Sequence, residues 1–448
     1  MKSFRPISRR KFLSRSIASA AATGVPLWFL KAEKLFAQDA VTPRSANDRP
    51  RIALVGCGGM GRGDGKNASR FGDIVAVCDV DRNHAEIAAR ELARDGKSPE
   101  VFEDFRKLFE KDRIDILVQA TPDHWHTLVN LAAAQAGKDV YAEKPLTLTI
   151  DEGKHLIRVV REKKVVLQTG TQQRSSSRFR LACELIRNGR IGTLKQVSVF
   201  VPSGLKGGPF QPAPIPAKLN WDFWLGQAPK VDYTPNRCHA NFRWWFEYSG
   251  GPVTDWGAHH NDIVRWALGI NGPVSVEARP LAETVANGYT APSDFEATLM
   301  WSNGVKQIVR TTPDDSPYGA VLKPDGQRNG IKFEGSDGWL WVNRDEISAS
   351  DLDLIRTPLP EDAIRLERSQ DHMANFFQCV RSRKDPIASV EEGHRSAIIG
   401  HLIVIALGQG RKLNWDAAKE VFVGDNASEA NQQLAREMRK PYDYGFVG

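Results

Sequence analysis

The sequence predicts a doubly wound α/β domain over residues 51–171, followed by an α+β domain over 172–448. Three observations carry this. Short, continuously apolar runs alternate with amphipathic segments in the first part, as in a parallel sheet covered on both faces. A glycine turn joins the first of those runs to the segment after it. Beyond about residue 190 the runs become alternating or β-branched with few helices between them, which suits a mixed or antiparallel sheet.

In order, the strands of the first domain are expected at Arg51–Val55, Ile74–Cys78, Ile114–Val118, Asp139–Ala142 and Val165–Gln168, with helical stretches such as His84–Asp95 and His126–Gln135 between them. Gly137 ends the second of these helices. Downstream, strands are expected at 192–202, 274–282, 294–301, 304–311 and 331–342, and helices at 178–188, 255–268, 370–382 and 392–409. Two Pro- and Gly-rich stretches, Pro202–Pro216 and Pro313–Gly330, read as long surface loops, either lids or simple insertions.

Residues 1–37 are of another kind. Lys2, Arg5, Arg9, Arg10, Lys11 and Arg15 supply positive charge without an acid, and a weakly apolar stretch, Ile17–Leu30, follows. Ser8-Arg9-Arg10-Lys11-Phe12-Leu13 reads as a twin-arginine export signal, with cleavage expected near Ala37 and a linker over 38–50. The predicted location is therefore periplasmic or otherwise extracytoplasmic, with the export machinery as a transient partner. Gly24 and Pro26 interrupt the apolar stretch, which is shorter than the ~20 residues of a spanning helix, so no stable membrane anchor is expected after cleavage. Removing 1–37, which holds eight Lys and Arg and one Glu, from 61 basic and 54 acidic residues leaves 53 of each. The basic balance thus belongs to the leader, and nothing favours nucleic acid as a partner. Five cysteines, without a CxxC pair, suggest neither a disulfide framework nor a zinc site.

Gly56-Cys57-Gly58-Gly59-Met60-Gly61 is a GxGxxG directly after the first strand, and Asp79 closes the second strand eighteen positions after Gly61. That context makes a dinucleotide site. Gly56 permits the tight turn, Gly58 lets the backbone approach a pyrophosphate, and Gly61 lets helix pack on strand; the phosphates would lie at the helix N-terminus. Asp79 would accept hydrogen bonds from the ribose hydroxyls and repel a 2′-phosphate, so NAD is expected over NADP, although Arg82 stands near enough to offer a phosphate a partner. Gly59 and Met60 of the turn, and Thr121, Pro122, His126, Glu143 and Lys144 at later strand ends, complete the expected cofactor contacts.

Thr121-Pro122-Asp123-His124-Trp125-His126, Glu143-Lys144-Pro145 and Asp255-Trp-Gly-Ala-His259-His260-Asn-Asp262 follow in that order. With the glycine turn, this set resembles the Gfo/Idh/MocA family over nearly all of the mature chain. The resemblance implies a Rossmann domain, a second domain with an open, mostly antiparallel β-sheet, an active site between them, and a homodimer or homotetramer. On residues alone, Pro145 keeps Lys144 extended at a strand end, where its ammonium can donate to a substrate oxygen or merely pair with Glu143. At about 100° per residue Asp255, His259, Asp262 and Trp266 form one stripe and His260 points away. Asp255 could instead serve the helix dipole, with Thr254 as cap. The resemblance implies that Asp255 contacts substrate or orients His259, and that His259 is the acid/base with Lys144 beside it. His124, His126 and His260 are expected to be structural, and diverging histidines argue against a metal site made with Asp255. The aromatic stretches Trp221–Trp224 and Asn241–Tyr248 read as a sugar-stacking surface or as core.

The expected activity is oxidation of a secondary hydroxyl of a sugar, glycoside or cyclitol, with a tightly bound nicotinamide recycled on the enzyme, because free NAD is not expected outside the cytoplasm. The alternatives are an NAD-dependent glycosidase or lyase working by transient oxidation and elimination, and a non-catalytic sugar-binding protein.

Overall fold

The computed structural model describes residues 25–30, 49–110, 113–311, 329–425 and 427–446. Most of the export signal and linker and nearly all of the loop Pro313–Gly330 lie outside the described residues. The exception in the leader is Val25–Leu30, whose last four residues form one helical turn.

The first sheet has six parallel strands: β1 Arg51–Val55, β2 Asp73–Cys78, β3 Glu100–Phe102, β4 Ile116–Gln119, β5 Asp139–Ala142 and β6 Leu167–Thr169, in the order β3-β2-β1-β4-β5-β6. Strand order reverses between β1 and β4, which is where such sheets open a crevice at their C-terminal ends. The expected dinucleotide-binding topology is therefore present. Helices α1 Gly59–Ala68, α2 Arg82–Glu91, α3 Asp123–Gln135 and α4 Ile150–Lys163 return the chain between strands. Helix α4 carries a reciprocal cap, Thr149 with Glu152. Strand β3 has no counterpart in the sequence reading, because its three residues are partly or fully exposed and carry no apolar run.

The second sheet has nine strands. They are β7 Leu194–Val201, β8 Pro273–Pro280, β9 Phe295–Trp301, β10 Lys306–Thr311, β11 Gly330–Gly335, β12 Trp339–Val342, β13 Ile347–Ala349, β14 Leu413–Asp416 and β15 Val421–Val423. Their order is β13-β12-β11-β7-β10-β9-β8-β14-β15, antiparallel except where β7 meets β10. Alternation in β9 buries every second residue. The inner face packs on helices α5 Ser177–Arg187, α6 Trp256–Leu268 and α8 Val390–Gln409, and the outer face carries Glu296, Arg310, Lys332 and Glu334. The run 331–342 is not one strand. Ser336 and Asp337 break it into a hairpin between β11 and β12.

Helix α7, His372–Ser382, lies in sequence between β13 and β14 of the second sheet but packs on the first. Met373, Phe376 and Phe377 share a buried cluster with Ile52, Leu54 and Val118. Tyr442 closes the opposite layer beside Trp125. The two domains thus exchange material across position 171. Among the described residues no helix is long and apolar enough to cross a membrane.

Candidate active site

The crevice at the ends of β1, β4 and β5 deepens into a cavity of about 480 Å³. It runs from Asp79 over the glycine turn to Lys144 and Asp255, and the second domain roofs it with Phe223, Trp224, His239 and Arg243. Every expected cofactor contact lines it: Gly56, Gly58, Gly59, Met60 and Gly61 of the turn, Asp79, and Thr121, Pro122, His126, Glu143 and Lys144.

The turn fits a bound phosphate chain. A Cβ on Gly61 would collide with the Gly56 carbonyl, and one on Gly56 (φ 87°) with the Ala120–Thr121 backbone, so both are glycine for closeness. Gly58 and Gly59 have nothing within 4 Å of such a Cβ, so they leave open the space over the N-terminus of α1. Asp79 is fixed by two backbone donors, Cys57 N–H at 2.7 Å and Asp81 N–H at 2.8 Å.

At the other end, Lys144 Nζ donates to Asp255 Oδ1 at 2.7 Å and to the Asp255 carbonyl at 3.2 Å. Arg243 Nε reaches the same carboxylate oxygen at 3.3 Å. Burial raises the Asp255 carboxyl, but Lys144 and Arg243 more than offset it, leaving its pKa below the usual carboxylate range. Asp255 makes no cap bond to its helix, and the Thr254 hydroxyl accepts from Gly250 N–H, so the pair is not there for capping. Nor does Lys144 form an ion pair with its neighbour. Burial pushes Glu143 up, and Glu143 accepts from Gln172 at 2.9 Å.

His259 sits one turn beyond Asp255, buried and outside the cavity wall. Burial, then the positive charges of Lys144 and Arg344, hold it well below the ordinary histidine value, and its Nδ1 has no hydrogen-bond partner among the described residues. Asp262, on the same stripe, is bound by Arg174 through two bonds of 2.7 Å and by the Ser396 hydroxyl, in a buried network at the domain junction. His260 bonds Asn329 at 3.2 Å and is pushed down to about 3 by burial. His124 meets the Trp224 carbonyl at 3.0 Å and is likewise pushed down to about 3. His126 stands between the carbonyls of Pro145, 2.6 Å, and Thr121, 2.9 Å, and so braces the Lys144–Pro145 turn.

The two aromatic stretches that sequence reasoning left as a sugar-stacking surface or core supply part of the roof, Phe223, Trp224 and Arg243, while His239 was missed. The segment after Pro202–Pro216 carries the roof and is tied to the end of β2 by Arg82 N–H to the Lys218 carbonyl at 2.9 Å and Asn220 N–H to the Val80 carbonyl at 3.0 Å. His239 adds a contact to Asp81 at 3.3 Å, and its ring lies 4.4 Å from that of His84, tilted by 51°. These three, Asp81, His84 and His239, hold their ligating atoms within 4.8 Å of one another at the mouth of the cleft. Of the aromatic stretches, Trp221, Trp245 and Tyr248 are buried in a separate core, while Phe223, Trp224 and Phe242 reach the cavity.

Comparison with known proteins agrees with this layout. Residues 50–171 match the family described as an oxidoreductase family, NAD-binding Rossmann fold, of the Gfo/Idh/MocA type, and residues 200–444 match its C-terminal alpha/beta domain. A scyllo-inositol 2-dehydrogenase (NAD(+)) of Bacillus subtilis is 26% identical over 347 residues, 76% of this chain and 88% of that protein. A glycosyl hydrolase family 109 protein of Shewanella is 34% identical over 164 residues, 32% of this chain and 35% of its own. Among solved structures, a levoglucosan dehydrogenase in complex with NADH and levoglucosan superposes with a TM-score of 0.60 at 18% identity, covering 82% of this chain and 99% of that one.

Proposed function

Because the chain belongs to the Gfo/Idh/MocA oxidoreductase family, we propose that it oxidises a secondary hydroxyl of a sugar, glycoside or cyclitol. The observation that carries this reading is the Lys144–Asp255 pair, 2.7 Å apart, on the wall of the cavity that also contains the glycine turn. When bound, the nicotinamide would supply the hydride acceptor. The glycine turn, Asp79, Thr121 and Pro122 would hold it, while Lys144 would donate to the substrate oxygen and so favour its anionic form. Asp255 keeps Lys144 aimed and accepts from a neighbouring hydroxyl. His259, held neutral by burial one turn behind Asp255, would be the acceptor for the hydroxyl proton of a substrate that reaches past Asp255 to it. Asp79, with its carboxylate fixed at the end of β2, favours NAD over NADP.

The leader supports export by the twin-arginine route, and the roof supports retention of the cofactor: backbone bonds from Arg82 to the Lys218 carbonyl and from Asn220 to the Val80 carbonyl tie the roof down beside Asp79. Retention favours recycling on the enzyme. It also favours a second reading, redox-neutral cleavage of a glycoside by transient oxidation and elimination, which the partial likeness to a family 109 glycosyl hydrolase supports. The outer face of the nine-stranded sheet is the surface offered to a second copy, as a homodimer or homotetramer.

One experiment tests these readings together. The purified full chain is examined for bound nicotinamide, then mixed with monosaccharides, glycosides and cyclitols while near-ultraviolet absorbance and released products are followed. We expect cofactor to copurify and its absorbance to change with one substrate class, and Lys144→Met to lose about 10²–10³-fold in turnover. Release of aglycone with no net absorbance change assigns the second reading. Absence of any response to the panel, with cofactor bound, overturns both.

A further inference from the structure

The last residues of the leader's apolar stretch Ile17–Leu30 are built into the second domain. Phe29 and Leu30 N–H donate to the Pro26 carbonyl at 3.1 and 3.2 Å, closing one helical turn. That turn sets Val25 and Phe29 on one side, and both are buried in the core cluster under the nine-stranded sheet. Phe29 is among the largest fully buried side chains of the described residues.

The seat is matched in detail. Trp28 Nε1 donates to the Ile355 carbonyl at 3.1 Å. The Arg180 guanidinium lies 4.6 Å over the Phe29 ring, and that of Arg365 lies 5.9 Å over Trp28. Both arginines pair with the fully buried Glu184, at 2.6 and 3.2 Å. One buried carboxylate thus holds two cations under two aromatic rings, an arrangement that pays in cation–π attraction only when both rings are present. Without the segment the site of Phe29 becomes a void in a close-packed core, with its lining deprived of contacts.

We propose that Val25–Leu30 is a permanent part of the second domain, so that any processing of the leader falls before Val25 and not near Ala37. The seat on α5 and around Ile355 is a binding site for the chain's own Trp28–Phe29 segment. The leader's apolar stretch then has two fates. Residues before Val25 serve export, and those from Val25 onward complete the fold.

The full chain, with its own leader, is produced in a host with twin-arginine export, recovered from the extracytoplasmic fraction and weighed intact. An N-terminus at or before Val25 is expected; a mature chain that begins after Val25 overturns the proposal. In the full chain Phe29→Asp and Trp28→Ala are expected to lower the melting temperature by about 5 °C or more, with the exposed Leu27→Asp as the unchanged control. Melting unaltered by Phe29→Asp also overturns it. Neither measurement involves nicotinamide or sugar, so its failure is separate from that of the dehydrogenase reading.

Discussion

A single carboxylate at the floor of the cleft answers two cations. Asp255 is aimed by its contacts with Lys144 and Arg243, and removing its charge leaves both without a counter-ion in a largely buried site. Asp255→Asn is therefore expected to cut kcat/KM by about 10²-fold with the fold intact, as read by steady-state kinetics and circular dichroism. The pH dependence has a defined sign. The folded-state pKa of His259 lies below the ordinary ~6.5, so it stays neutral as pH falls through 6.5, and the acid limb of kcat/KM belongs well below that value. An acid limb at ordinary histidine pH would remove His259 from the proton-transfer role. The glycine turn, Lys144 and Asp255 were legible because glycine, a residue fixed by a following proline, and helical angle each act locally. Arg243 was not, since its partner Asp255 is met only after the chain rounds Gly250–Gly251.

At the level of elements, helix α1 depends on a contact that tolerates no side chain. Gly61→Ala must separate α1 from the Gly56 carbonyl, displacing the donors that would hold the pyrophosphate. We expect at least tenfold weaker nicotinamide binding, measured by calorimetry or by loss of copurifying cofactor. The junction between α6 and the first domain rests on a different interaction, the buried Arg174–Asp262 pair, with side chains 3% and 1% exposed. Asp262→Asn leaves Arg174 with Glu392, at 2.8 Å, as its remaining counter-ion and is expected to cost about 1–3 kcal/mol in denaturant unfolding. Helical stripes at 255–268 and 392–409 were readable from periodicity, and five of the six strands of the first sheet from their continuous apolar runs. Strand β3 and the hairpin at 331–342 were not, because pairing with neighbours rather than side-chain pattern defines them.

For the whole molecule, the order of elements along the chain differs from their order in space. The first sheet is finished by α7, whose Met373, Phe376 and Phe377 cover Ile52, Leu54 and Val118. A fragment of residues 50–171 lacks that cover and is expected to bind an apolar dye and to melt without a cooperative transition, checked by fluorescence and calorimetry. No periodicity in the first domain announces this, because the missing layer is encoded some 200 residues downstream. The consequence is one of timing on the ribosome. At ~5–20 residues per second, on the order of 10–40 s separate the last strand of the first sheet from the helix that completes it. Throughout that interval the nascent chain carries an open apolar flank, a site for a holding chaperone, and the cofactor crevice reaches its final form only as synthesis nears its end.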